Sequence, residues 1–310
     1  MKVLVTGVAG QLGYDVVNEL TRYGHEAIGS DIKGYNDLML KPDCKYISFD
    51  ITDKEEVREI FICFQPDAVI HCAAWTNVDG AESEENRDTV KRINVTGTEN
   101  LVKACKGFDI KFMYISTDYV FDGEGTRPWQ PDDTNYAPQN YYGETKLQGE
   151  RAVSSQLEKF FIVRIAWVFG LNGKNFIKTM LSLADKGLKE LKVVDDQIGT
   201  PTYTYDLARL LVDMIQTEKY GHYHATNEGG YISWADFAEE IFRQAGKDVR
   251  VKRVTTAEYG LSVAKRPFNS RLDKSKLAEN GFALLPDWKD AVKRYLQATG
   301  VTKPNQQGGE

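Results

Sequence analysis

The sequence predicts an α/β chain in which a doubly wound parallel sheet is followed by a smaller α/β unit. Three observations carry that expectation. Short apolar strands alternate with amphipathic helices through the first half of the chain. A glycine-rich turn, Gly7-Val8-Ala9-Gly10-Gln11-Leu12-Gly13, joins the first strand to the first helix. Beyond Phe169 the rhythm loosens into shorter elements.

Residues 2–6 form a β-rich run, and residues 11–22 repeat helically with Leu12, Val16, Val17 and Leu20 on one side. A second strand over 26–30 ends at Asp31, and a third covers 46–49. The helix over 53–64 shows Val57, Ile60, Phe61 and Phe64 at helical spacing. A strand at 68–71, a helix around 87–105 and a strand at 111–116 follow. Strands separated by helices of this length require crossover connections, hence a parallel sheet covered on both faces. A Gly/Pro/Asp-rich loop over 122–140 then precedes a helix from Tyr141 to about residue 155. Loops at the carboxyl ends of sheet strands are the usual seat of substrate contacts. After a strand at 160–165 come a helix at 176–186, a strand at 191–194, a helix at 204–216 and a strand at 221–225. The helix over 234–245, with Ser233 as N-cap, carries Phe237, Ile241 and Phe242 on one face. The expected organisation is a Rossmann-type NAD(P)-binding domain over 1–168 to which later segments return, a smaller α/β C-terminal substrate-binding domain over 169–300, and a disordered polar tail over 301–310.

Bulk properties exclude several classes. With 310 residues, 42% hydrophobic and 27% charged, the composition is that of an ordinary globular protein. No stretch approaches the roughly 18 apolar residues of a spanning helix. The opening residues run straight into a strand pattern and lack the parts of a signal peptide, so cytoplasmic residence is expected. A net charge of −6 opposes nonspecific attraction to nucleic acid or an anionic membrane, and neither is expected as a partner. Cys44, Cys63, Cys72 and Cys105 form no C-x-x-C pair and read as reduced thiols. His25, His71, His222 and His224 are too scattered for a metal set, and no required metal is expected.

Chemistry concentrates in two places. A glycine turn between strand and helix lets phosphate oxygens approach free backbone N–H groups at the positive end of the helix dipole. Gly7, Gly10, Gln11, Leu12 and Gly13 are therefore candidates for cofactor contact. Asp31 ends the second strand, where an acid accepts from the adenosine ribose hydroxyls. An acid there repels the 2′-phosphate of NADP while nearby Lys33 offsets it, so NADPH and NADH both remain open. Second, Tyr142 and Lys146 lie four residues apart, hence on one helix face. A phenol with its pKa near ~10 needs a fixed cation to act in proton transfer near neutrality. The hydroxyl pair Ser116-Thr117 ends a sheet strand, so three groups can converge on one carbonyl.

Several further segments join these: Cys72-Ala73-Ala74-Trp75-Thr76-Asn77-Val78-Asp79, Asn94-Val95-Thr96-Gly97-Thr98, Ser116-Thr117-Asp118-Tyr119-Val120-Phe121-Asp122-Gly123, Ala166-Trp167-Val168-Phe169-Gly170, Gly199-Thr200-Pro201-Thr202 and Lys265-Arg266-Pro267 with Asn269-Ser270. In this order, over nearly the whole chain, they resemble the dTDP-4-dehydrorhamnose reductase family of extended short-chain dehydrogenases. The resemblance implies reduction of a dTDP-4-keto-6-deoxyhexose, dTDP-4-dehydro-L-rhamnose, to dTDP-L-rhamnose by NADPH or NADH, a step of polysaccharide precursor synthesis. It implies Thr117, Tyr142 and Lys146 as the catalytic group, and Gly10, Gln11, Leu12, Asp31, Ala73, Ala74 and Thr76, together with Tyr142 and Lys146, around the cofactor. Thr117, Asp118, Tyr119 and Trp167 would meet the sugar, with Arg266 and Asn269 on the nucleotide side. Some family members dimerise through a metal held by acids, and Asp15 stands where one such acid would be, but no complete ligand set is legible; monomer and homodimer both stay open. Two other readings share the scaffold: a nucleotide-sugar epimerase or 4,6-dehydratase, and a noncatalytic nucleotide-sensing regulatory subunit. A dehydratase follows its catalytic Thr with Asp-Glu, whereas Tyr119 follows Thr117-Asp118 here.

Overall fold

The computed structural model describes residues 1–302. Most of the expected tail, residues 303–310, lies outside the described residues. Seven strands, β1 (Lys2–Thr6), β2 (Glu26–Asp31), β3 (Lys45–Ser48), β4 (Ala68–His71), β5 (Lys111–Thr117), β6 (Phe160–Ile165) and β7 (Gly221–His224), form one sheet in the order β7-β6-β5-β4-β1-β2-β3. Every pairing in it is parallel. The chain is a Rossmann-type doubly wound α/β protein, and the strand order reverses beside β1, between β4 and β2.

The two-residue period of a strand sends neighbours to opposite faces. Val3 and Val5 therefore join Ile70 and Met113 on one face, where helix α1 (Gln11–Arg22) supplies Val16, Val17 and Leu20. Leu4, Val69 and Phe112 join the other, covered by Val57 and Phe61 of α2 (Lys54–Phe64), Leu101 and Val102 of α3 (Thr98–Phe108), and Val153 of α4 (Tyr141–Gln156). Asp53 caps α2 by accepting from the Glu55 and Glu56 N–H groups at 2.8 and 3.2 Å. Asn140 caps α4 through the Gly143 N–H at 2.8 Å, which sets where the Tyr142 face begins.

The helix expected around 87–105 is not continuous. An α-helix at Glu84–Lys91 widens into a π-turn at Arg92–Gly97 before α3 begins. The widened turn brings Asn94, wholly buried, to Trp75 and Thr145: its Oδ1 accepts the Trp75 N–H at 2.8 Å and its Nδ2 donates to Thr145 Oγ1 at 3.0 Å. One side chain thus ties the segment after β4 to α4. Such single-turn expansions recur at functional sites because they re-aim one residue.

The second half contributes α5 (Phe176–Asp185), α6 (Thr204–Ile215), α7 (Trp234–Ala245) and α8 (Trp288–Ala298). Helix α6 and strand β7 return to the sheet, with Leu207 and Leu211 packed in the same cluster as Val16. A separate core gathers Phe169, Ile177, Tyr203, Phe237, Ile241, Trp288 and Tyr295. Ser233 and Asp236 form a reciprocal capping box at α7, each side chain accepting the other's backbone N–H. A strand at Arg250–Val254, paired in parallel with Glu190–Val194, was not legible because its charged and apolar residues sit on a half-exposed five-residue run.

Candidate active site

A cleft of about 560 Å³ opens at the carboxyl ends of the strands, where the order reverses. Gly7 turns the chain out of β1 with φ +77°, and a Cβ there would meet the Ala73 nitrogen at 2.5 Å. A Cβ on Gly13 would meet the Gly7 carbonyl oxygen at 2.4 Å, so helix and loop touch through bare backbone. Gly10 precedes α1 in extended conformation, and neither a side-chain cap nor a first-turn acid competes for the helix N–H groups. Gly10, Gln11 and Leu12 line the cleft beside Asp31. Asp31 also braces the loop: its Oδ2 accepts the Ala9 N–H at 3.0 Å. Open donors, a close backbone approach and an acid at the end of β2 fit a dinucleotide.

On the other side of the cleft, Thr117 ends β5 and α4 presents Tyr142 and Lys146; Ala73, Ala74 and Thr76, which follow β4, line the floor between. Lys146 is buried, with Nζ donating to the Ile115 carbonyl at 2.7 Å and lying 4.0 Å above the Tyr114 ring centre. Burial pulls its ammonium down to about 7. The Tyr142 phenol is pushed well above its ordinary value by burial and then by the charge of Asp118, while the Thr117 hydroxyl pulls the other way. The raised value keeps Tyr142 as the neutral phenol.

Asp118, on the turn after β5, is buried. Its Oδ1 accepts from Thr117 Oγ1 at 3.0 Å and its Oδ2 from Ser270 Oγ at 2.5 Å. Among the described residues no ion pair balances it, and burial pushes the carboxyl up to about 6. Tyr119 lies edge-on to Tyr142, ring centres 5.7 Å apart. Ser116 Oγ, buried and lining the cleft, has no hydrogen-bond partner among the described residues.

Three expected contacts do not reach this cleft. Trp167 adopts φ +50° and stacks on Trp234, ring centres 3.7 Å apart. Arg266 grips both carboxylate oxygens of Asp79, at 3.0 and 2.7 Å, in a segment whose Val263 and Ala264 N–H groups bind the same acid. Asn269 is 1% exposed, and its Nδ2 donates to the Glu124 and Arg127 carbonyls. Its amide braces the loop over 122–140 and has no capacity left for a nucleotide.

The family model described as the RmlD substrate binding domain matches residues 1–301. The chain belongs to that family. It is 38% identical over 296 residues to the spore coat polysaccharide biosynthesis protein SpsK of Bacillus subtilis, covering 96% of this chain and 97% of the relative. The crystal structure of a dTDP-4-dehydrorhamnose reductase from Clostridium acetobutylicum superposes with a TM-score of 0.87 at 41% identity, covering 97% of this chain and all of the other. That of the Bacillus anthracis dTDP-4-dehydrorhamnose reductase in complex with NADP gives 0.86 at 38% identity, covering 96% and 100%.

Within this RmlD-family cleft, further lining residues went unread in the sequence. Phe49, Asp50 and Ile51 follow β3 directly and face the cleft for the same topological reason as Asp31, so strand order alone would have placed them. Cys72 lines it with a thiol that burial pushes up to about 12, too high for a nucleophile at neutral pH. Lys174 arrives from the segment before α5 and had no local signal at all.

Proposed function

We propose that this RmlD-family chain reduces the 4-keto group of dTDP-4-dehydro-L-rhamnose to give dTDP-L-rhamnose, using NADPH or NADH. One observation carries the reading: Thr117, Tyr142 and Lys146 share a single cleft with the bare glycine loop and Asp31. The nicotinamide cofactor, when bound, supplies the hydride that goes to C4 of the sugar. The remaining work falls to side chains. Tyr142, held protonated, gives its proton to O4 as that oxygen gains charge, and recovers one from solvent. Thr117, bonded to Asp118 and lining the same cleft as the phenol, hydrogen-bonds the same sugar oxygen. Lys146, once charged, offsets the phenolate left behind and holds a ribose hydroxyl. Asp118 and Tyr119, on the same turn, line the cleft where the sugar would bind.

The test is consumption of nicotinamide. Purified protein with the keto sugar should oxidise NAD(P)H mole for mole with product. Turnover of a nucleotide sugar without net oxidation would assign an epimerase or dehydratase instead, and absence of turnover with tight binding to an enzyme partner would assign a regulatory subunit. Sedimentation decides between monomer and homodimer.

A further inference from the structure

Lys174 stands outside every motif and every contact used so far. It sits on the turn over 170–175, which leaves the sheet unit after Val168–Phe169 and crosses back over the glycine loop. The crossing is anchored by two asparagines. Asn172, wholly buried, donates its Nδ2 to the Ala9 and Gly10 carbonyls at 3.1 and 3.3 Å. Asn175 donates to Gln11 Oε1 at 3.0 Å and to the Gly170 carbonyl at 2.9 Å. Gly173 turns the chain with φ +76°, close enough that a Cβ would sit 3.4 Å from Gln11 Cγ. Lys178 is spent inside the turn, its Nζ donating to the Leu171 and Gly173 carbonyls at 2.5 and 2.8 Å.

Lys174 differs from Lys178. It lines the cleft with Gly10, Gln11, Leu12 and Gly13, and among the described residues its exposed ammonium makes no hydrogen bond or ion pair. The lining otherwise carries three carboxylates, Asp31, Asp50 and Asp118, against one other cation, Lys146. Lys146 is buried, its Nζ already donating to the Ile115 carbonyl. The only base in α1 is Arg22, in its last turn. Both ligands of the proposed reaction carry a diphosphate, about two negative charges, into a cleft whose walls are already acidic. Backbone N–H groups and a helix dipole supply partial charges only, so a whole cation beside them is what the ligand lacks.

We propose that Lys174 is a diphosphate-binding residue, delivered to the glycine-loop end of the cleft by the turn over 170–175. The proposal rests on the reductase reading for its ligands. The second unit then supplies part of the phosphate site, and Asn172 and Asn175 set the position of the ammonium by locking the turn to the loop it serves.

Calorimetric titration of the full chain with NADPH, ADP-ribose, dTDP and adenosine tests this in the parent protein and in Lys174→Ala and Lys174→Arg. The alanine variant should bind a diphosphate about five- to thirty-fold more weakly, as expected for one lost charge-assisted contact at an exposed site. Arginine should restore most of the affinity, and the difference should shrink in 0.5 M NaCl, roughly, as screening lengths fall. Adenosine should bind the variants alike. Weakening of NADPH and ADP-ribose together assigns the cofactor diphosphate; weakening of dTDP alone assigns the sugar nucleotide. Affinities for all three diphosphates within twofold of the parent would overturn the proposal, as would an equal loss for adenosine. A parent that binds these nucleotides yet oxidises no NADPH would end the reductase reading while the binding comparison still decides Lys174.

Discussion

At the scale of single residues the site depends on where a few protons sit. In the proposed reaction Tyr142 is the acid, and Tyr142→Phe removes the transferable proton while leaving the ring against Tyr119. The expected outcome is a fall in kcat of about 10²- to 10⁴-fold with little change in cofactor affinity. Near-normal turnover by the folded variant would end the assignment. Behind Tyr142, Asp118 shares its two oxygens between Thr117 and Ser270. Burial lifts the Asp118 carboxyl to about 6, and the Ser270 and Thr117 hydroxyls draw it back. Ser270→Ala takes away one donor to the ionised form, so the carboxyl should titrate at higher pH than in the parent. Carbon-13 NMR of the Asp118 carboxyl measures this without turnover, and an unchanged or lower midpoint contradicts it. Tyr142 and Lys146 were legible because helical spacing links them locally. Ser270 was not: it lies 152 residues from Asp118, and only the folded chain brings the two together.

Among elements, the packing of α1 on α6 buries an acid. Asp15 is 7% exposed, with Oδ2 accepting from Thr204 Oγ1 at 2.5 Å. Burial raises its carboxyl to about 6, the Thr204 hydrogen bond lowers it, and the carboxylates of Glu19 and Asp206 add to the rise. The folded state therefore holds a proton between about pH 4 and 6 that the unfolded chain releases. Stability from this group is gained as pH falls through that window and lost as pH rises. Asp15→Asn keeps an acceptor for Thr204 and removes the buried charge. It should stabilise the protein at pH 8 by up to about 3 kcal/mol, an advantage that vanishes near pH 4. Urea unfolding at the two pH values checks this, and equal stabilities at pH 8 would contradict it. The same element-level logic explains the interrupted helix before α3. Its residues keep helical spacing, but the π-turn that aims Asn94 is a matter of what lies across the gap, Trp75 and Thr145.

For the molecule as a whole, a buried ion pair ties three parts together. Arg164 on β6, fully buried, meets both oxygens of Glu150 on α4, and it also reaches the Pro131 carbonyl and the Tyr136 hydroxyl in the loop over 122–140. Glu150→Ala leaves a guanidinium buried without its counter-charge, which costs about 3–5 kcal/mol in comparable cases. Equilibrium unfolding should show that loss, and a change below about 1 kcal/mol would mean the loop carbonyl and phenol suffice on their own. By itself the sequence determined the alternation of strands and helices, the glycine loop, Asp31 and the Tyr142–Lys146 pair, because each depends on spacing within one or two adjacent elements. Tertiary structure alone decided that Asn269 braces a loop, that Arg266 is held by Asp79, that Ser270 hydrogen-bonds Asp118, and that Lys174 comes to the cleft from the second half of the chain. Those placements depend on contacts between residues far apart along the chain, where periodicity carries no information and only tertiary packing assigns a partner.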